Sequence, residues 1–147
     1  MSTTETLAAA HAEVKAEIVR TDTKTGLLLA FIGAVLAGSW TIAKDVPLTT
    51  PAYVAGGAGT ALLVTAAGLL LRSVRPNLRG GHGFPLWATL TADQIPATLT
   101  ADQAAAVVSL SRIALAKYTG LRRAIDLTTA GGALLVLAAL LALGGVA

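Results

Sequence analysis

Charge-free apolar blocks alternate with charged, amphipathic stretches along the chain. The first block runs from Thr25 to Ala43 between Lys24 and Lys44, the second from Val46 to Leu71, and the third from Leu127 to Ala147. A helix rises about 1.5 Å per residue, so the first block makes roughly 28 Å of helix, which matches a hydrocarbon core of about 30 Å. Pro47 and Pro51 set the start of the second helix near Pro51 or Ala52, because proline fits a first helical turn and not an interior one. The pattern predicts an all-α membrane protein with three transmembrane helices over 26–43, 52–71 and 127–147, the first two joined by a short outer loop over 44–51.

The charged stretches carry helical periodicity of their own. In residues 1–25, Ser2 and Glu5 have capping-box spacing, and Leu7, His11, Val14 and Ile18 follow at steps of four, three and four, a narrow apolar seam. Only Gly26 interrupts, so this amphipathic helix is expected to run straight into the first span. Segment 72–126 begins with Arg72, Arg75 and Arg79 and a turn-rich stretch containing Pro76, Gly80, Gly81, Gly83 and Pro85. A tandem echo follows, Leu-Thr-Ala-Asp-Gln at 90–94 and again at 99–103, each copy with the Thr-x-x-Gln form of a capping box. Pro96 cuts the first copy short. The second opens a helix with Val107, Leu110, Ala114, Tyr118, Leu121 and Ile125 on one face and Ser109, Arg112, Thr119 and Arg123 on the other. These extensions of the first and third spans are expected to pack as a small cytoplasmic helical bundle. A single molecule offers their seams few other partners, which points to a homo-oligomer with a helical collar. Small residues recur at four-residue spacing within the spans (Ala30 with Ala34, Ala34 with Gly38, Gly57 with Ala61, Thr128 with Gly132), the spacing that lets helices approach closely in lipid.

Composition agrees with a bilayer as solvent. Of the 147 residues 54% are apolar and 13% charged, against roughly 25% charged in ordinary soluble domains. There is no cysteine, which excludes disulfides, thiolate metal sites and cysteine nucleophiles. The net charge of +3 and pI near 9.7 raise the question of nucleic acid, and the placement of the charge answers it. Lys15, Arg20 and Lys24 precede the first span, and Arg72, Arg75, Arg79, Arg112, Lys117, Arg122 and Arg123 lie between the second and third, against Lys44 alone in the outer loop. The positive-inside rule then puts the amino terminus and 72–126 in the cytoplasm and the carboxyl terminus outside, in a multi-pass protein of the inner membrane. Trp40 and Tyr53 fall at one outer interface, as amphipathic rings prefer. The residues ahead of the first block include Glu5, Glu13, Glu17 and Asp22, which suits a permanent anchor better than a cleaved signal. No nucleic-acid partner is expected.

No catalytic constellation is visible. His82, in Gly80-Gly81-His82-Gly83, has no carboxylate within ten residues, and the glycines lack the Gly-Lys-Ser/Thr ending of a phosphate loop. The spans contain no ionisable group of the kind that proton coupling needs. A non-enzymatic protein without metal or cofactor is the expectation. What remains is a cationic inner rim, suited to anionic lipid heads and, in a sharper reading, to a phosphate joined to a base. Arg20 and Lys24 would lie level with Arg122 and Arg123, Arg79 with His82 would fold beneath, and Tyr118 would stack on the base.

The stretch Glu17-Ile-Val-Arg-Thr-Asp-Thr-Lys-Thr-Gly-Leu-Leu-Leu29, an Asp-x-Lys entering a leucine-rich span, resembles the opening of the small membrane effectors of Pycsar antiphage systems. Leu115-Ala-Lys-Tyr-Thr-Gly-Leu-Arg-Arg-Ala124, leading into the last span, is similar to their later helix, and Arg75-Pro76 falls between in the same order. The resemblance implies a sensor of cyclic UMP or cyclic CMP, made by a separate pyrimidine nucleotide cyclase after infection. Ligand-driven assembly would then disrupt the inner membrane and cause growth arrest or cell death. Positions matching the shared motifs are Arg20, Asp22, Lys24, Lys117, Tyr118, Arg122 and Arg123; Arg79 and His82 join the candidate nucleotide site on charge alone. The competing reading is a membrane anchor or accessory subunit with no nucleotide sensing.

Overall fold

A computed structural model of the chain describes residues 3–46, 48–75, 86, 88–94 and 103–144. Three long helices account for nearly all of them: α1 (Thr3–Asp45), α2 (Thr50–Val74) and α3 (Gln103–Gly144). Each is long and apolar enough to cross a membrane, and the described residues contain no strand. The chain is an all-α, multi-pass membrane protein.

Helix α1 runs unbroken through Gly26, as expected from the sequence, even though Thr23, Thr25 and Gly26 itself are weak helix formers. Its seam extends further than its apolar residues suggest. The three–four repeat that begins at Leu7, His11, Val14 and Ile18 continues through Thr21, Thr25, Leu28, Ile32, Val35 and Ser39, all buried or partly buried. Threonine can occupy such inward positions in a helix because its hydroxyl bonds backward to the preceding turn. Thr21 does so, its Oγ1 donating to the Glu17 carbonyl at 2.9 Å. Helix α2 starts at Thr50, a residue or two before the sequence expectation, because Thr49 caps it: the Ala52 N–H donates to Thr49 Oγ1 at 3.4 Å and the Tyr53 N–H to the Thr49 carbonyl at 2.9 Å. Pro51 sits harmlessly in the first turn.

The chain divides into two compact units. One, the apolar unit, comprises Thr23–Val74 and Thr119–Ala147. Its core joins Ile32 of α1 with Leu63, Ala66 and Leu70 of α2 and Leu121 and Ala124 of α3. Helix α2 buries Ala52, Ala55, Gly59, Leu63, Ala66 and Leu70, and α3 buries Leu121, Ala124, Thr128, Gly131, Ala138 and Ala142. The closest approach is at Gly59 and Gly131: a Cβ on Gly59 would stand 2.8 Å from the Gly131 carbonyl oxygen, and one on Gly131 would stand 2.9 Å from that of Gly59. Only hydrogen fits at either position. Large apolar side chains such as Leu27, Phe31, Val64, Val136 and Leu140 point outward, the arrangement expected where lipid tails replace water and small residues make the helix contacts.

Most of the small-residue pairs picked out by four-residue spacing lie elsewhere. Ala30, Ala34, Gly38, Gly57 and Ala61 are exposed, and a Cβ on Gly57 would meet nothing within 4 Å. Of those residues Thr128 alone is buried, its hydroxyl donating to the Ala124 carbonyl at 2.7 Å. A single four-residue step occurs on every face of a helix; the inward face is the one on which a three–four repeat is sustained over many turns.

The other, the charged unit, comprises Met1–Asp22 and Arg75–Tyr118. In it Leu7, His11, Val14 and Ile18 of α1 and Val107, Leu110 and Ala114 of α3 are partly buried, as the periodicity assigned them, whereas Tyr118, assigned to the same α3 face, is exposed and Ser109, assigned to the opposite one, is partly buried; Ile125, further along the expected face, is exposed as well. At the first copy of the tandem echo, the Thr91 N–H donates to Gln94 Oε1 at 3.1 Å and the Gln94 N–H to the Thr91 carbonyl at 3.0 Å, the return half of a capping box closing a turn. Ser2 and Thr100, the first residues of the other two expected capping boxes, lie outside the described residues.

Candidate functional site

Polar side chains cluster where the described residues of the charged unit adjoin its last seam positions. Helix α1 contributes Glu17, Arg20 and Asp22, and α3 contributes Lys117 and Tyr118. The α3 seam steps through Val107, Leu110 and Ala114, and the next step of three falls on Lys117. A lysine is thus placed on the packing face, where its side chain is only 18% exposed. Burying an ammonium group without a partner is costly. Asp22 answers that need: Lys117 Nζ donates to Asp22 Oδ1 at 2.5 Å, the carboxylate itself being 42% exposed.

One turn earlier on α1, Glu17 holds two further donors. Tyr118 Oη donates to Glu17 Oε1, and Arg20 Nη1 donates to Oε2 at 3.3 Å. Both oxygens of one carboxylate are used, one within α1 and one across to α3. The two contacts differ in weight. The Arg20 side chain is 72% exposed and Glu17 34%, so their pair is an exposed ion pair worth at most about 1 kcal/mol. The Lys117 ammonium, 18% exposed, is the most sheltered of these charges, which makes its pair with Asp22 the more costly to separate.

Of the residues the sequence nominated, Arg20, Asp22, Lys117 and Tyr118 come into this cluster, through Glu17 and through the Asp22–Lys117 pair. Lys24, Arg122 and Arg123 belong to the apolar unit, where all three are exposed and form no ion pair with a described carboxylate. Arg79 and His82 lie outside the described residues. Glu17 was missed by sequence reasoning, which looked for cations. Its signal was positional: three residues before Arg20 and four before a seam threonine, it borders the packing face. The chemistry also differs from an open cationic rim, since Lys117 and Arg20 each already face a carboxylate. An anion arriving here competes with Asp22 or Glu17 for these cations.

Beside the cluster runs a groove of about 290 Å³, lined by Glu13, Val14, Glu17, Ser111, Ala114, Leu115 and Tyr118. Its carboxylates give it a negative lip over an apolar floor. The Ser111 hydroxyl is committed to its own helix, donating to the Val107 carbonyl at 2.8 Å. The described residues contain no group of three side chains arranged to hold a metal ion.

Residues 6–144 match the Pycsar effector protein domain, designated PycTM. No curated protein and no solved structure matches the chain.

Proposed function

The chain belongs to the Pycsar effector family, and we propose that it is the membrane effector of an antiphage system, responding to cyclic UMP or cyclic CMP from a separate cyclase. Occupied by nucleotide, it breaches the inner membrane and arrests or kills the infected cell. The amino terminus and the charged unit face the cytoplasm, where the nucleotide is made; the placement of ten of the eleven Lys and Arg residues supports this orientation.

The observation that carries the sensing step is the carboxylate-compensated cluster joining α1 and α3. A cyclic phosphodiester is a singly charged acceptor, well matched to the fork of a guanidinium and to an ammonium group. At Arg20 and Lys117 it competes with Glu17 and Asp22, while Tyr118, released from Glu17, offers a ring to the pyrimidine. Exchange of protein carboxylates for ligand phosphate changes what ties α1 to α3, and a ligand acts by binding one arrangement better than the other. Lys24, Arg122 and Arg123 of the apolar unit supply positive charge to lipid heads at the membrane surface.

Dye leakage from vesicles holding the purified protein tests this reading, with cyclic UMP, cyclic CMP and cyclic AMP added in turn. Leakage is expected with a cyclic pyrimidine nucleotide only; no leakage and no binding with either one would sink the sensing step. Arg20→Ala with Lys117→Met is expected to weaken nucleotide binding about tenfold, equivalent to about 1.4 kcal/mol. If Arg122→Ala with Arg123→Ala weakens it instead, the nucleotide sits against the apolar unit. The compensated state of Arg20 and Lys117 also favours a second reading, in which the cluster is a structural tie in a membrane anchor or accessory subunit. Unchanged leakage together with normal insertion selects that one.

A further inference from the structure

We infer that the groove of the charged unit receives Lys15 of a second copy of the chain, so that copies associate head to tail around or along the membrane. The contact joins resting copies before any nucleotide arrives, and it rests on the proposed function only for its purpose, not for its geometry.

The groove carries Glu13 and Glu17 on its α1 side, with Leu115 and Tyr118 on its α3 side. Its chemistry, two carboxylates beside an apolar wall, suits a cation on a flexible aliphatic stem, which is what lysine offers. Lys15 lies two residues from each glutamate. At 3.6 residues per turn that places it about 200° around α1 from both and only about 3 Å away along the axis. It therefore leaves the opposite side of the helix, at a height between the two carboxylates. Lys15 is exposed and forms no ion pair with a described carboxylate.

Height is what makes this pairing specific. Copies inserted in one bilayer with the same orientation are related by rotation about the membrane normal, so residues that meet must lie at nearly equal depth. Lys15 and the Glu13–Glu17 pair satisfy this within one chain's own α1. A patch and its complement on different faces of one protomer form a heterologous contact, which closes into a ring or continues as a row. Apolar surface supports the charge match: Ala16, beside Lys15 on α1, is exposed, and Leu115 at the groove is 69% exposed. Contact between them would shield the ion pair from water.

The chain has no cysteine, so introduced thiols report cleanly. Ala16→Cys with Leu115→Cys, two positions at nearly equal depth, leaves Glu13, Lys15 and Glu17 intact. In oxidised inner membranes, without nucleotide, the double variant is expected to give a ladder of covalent dimers, trimers and larger species, and each single variant to give monomer. On that background Lys15→Glu is expected to lower the cross-linked fraction about tenfold by setting like charges together, and adding Glu13→Lys to restore most of it. A normally inserted double variant that stays monomeric would overturn the inference, the groove then being empty or filled by the chain's own residues. Single variants that form dimers as efficiently as the double would overturn it too, by showing a two-fold contact. A ladder unaffected by cyclic UMP and cyclic CMP, beside vesicles that do not leak, would retain the docking surface and remove the nucleotide reading.

Discussion

The two units of this protein join helices by opposite means. In the apolar unit α2 and α3 come together where side chains are absent, at Gly59 and Gly131, and no charged group takes part. In the charged unit α1 and α3 are tied by side chains that carry charge or hydroxyls, Asp22 to Lys117 and Glu17 to Tyr118. The difference follows from the solvent. In lipid, apolar surface gains nothing by leaving the tails, so close backbone approach is what distinguishes one helix contact from another. Where water has access, an ion pair can exchange partners at modest cost, and the tie is open to competition from a dissolved anion. Permanence belongs to the first kind of contact and response to the second.

The sharpest way to break the comparison is to add bulk at the glycine crossing. Gly59→Val is expected to destabilise the protein by about 1–3 kcal/mol or more, because the new Cβ meets a backbone oxygen that cannot rotate away. Gly57→Val, into open space on the same helix, should change stability by no more than about 0.5 kcal/mol. Thermal unfolding in detergent micelles checks both, and equal losses would show that the crossing is not where α2 and α3 are held. Next in size is the sheltered ion pair. Lys117→Ala is expected to cost about 1–3 kcal/mol, less than for a fully buried pair because Asp22 retains access to water. Adding Asp22→Asn to that variant should recover part of the loss, and a double-mutant cycle that shows no coupling would remove the pair from the account. Tyr118→Phe, which deletes one hydrogen bond to Glu17, should cost about 0.5–1.5 kcal/mol. The smallest effect is expected for Arg20→Ala, about 0.2–1 kcal/mol and diminishing with added salt, since its pair with Glu17 is exposed. A larger, salt-independent loss at Arg20 would mean that the charged unit is as rigidly built as the apolar one.

Much of the fold was legible in residue order. Leu7, His11, Val14 and Ile18 announce an inward seam because apolar spacing is a direct record of which side of a helix is dry. The same reading stopped at Ile18, since Thr21 and Thr25 are not apolar; it could not register that a hydroxyl bonded to the preceding turn is acceptable inside. Within the candidate site, Lys117 and Tyr118 were singled out together as neighbours in a motif shared with the Pycsar effectors. The continuing three–four repeat separates them, turning Lys117 inward to Asp22 and leaving Tyr118 at the edge with Glu17. Glu17 itself was invisible to a search for positive charge.

By itself the sequence determined the three long helices and their suitability for a bilayer, because length, hydropathy and the stop signals of proline, glycine and charge act along the chain and need no partner. Only the tertiary structure decided which glycines touch and which carboxylate each cation faces. Those outcomes depend on the rotation of one helix against another, and every four-residue step in a sequence rich in alanine and glycine is compatible with several rotations until the whole seam selects one.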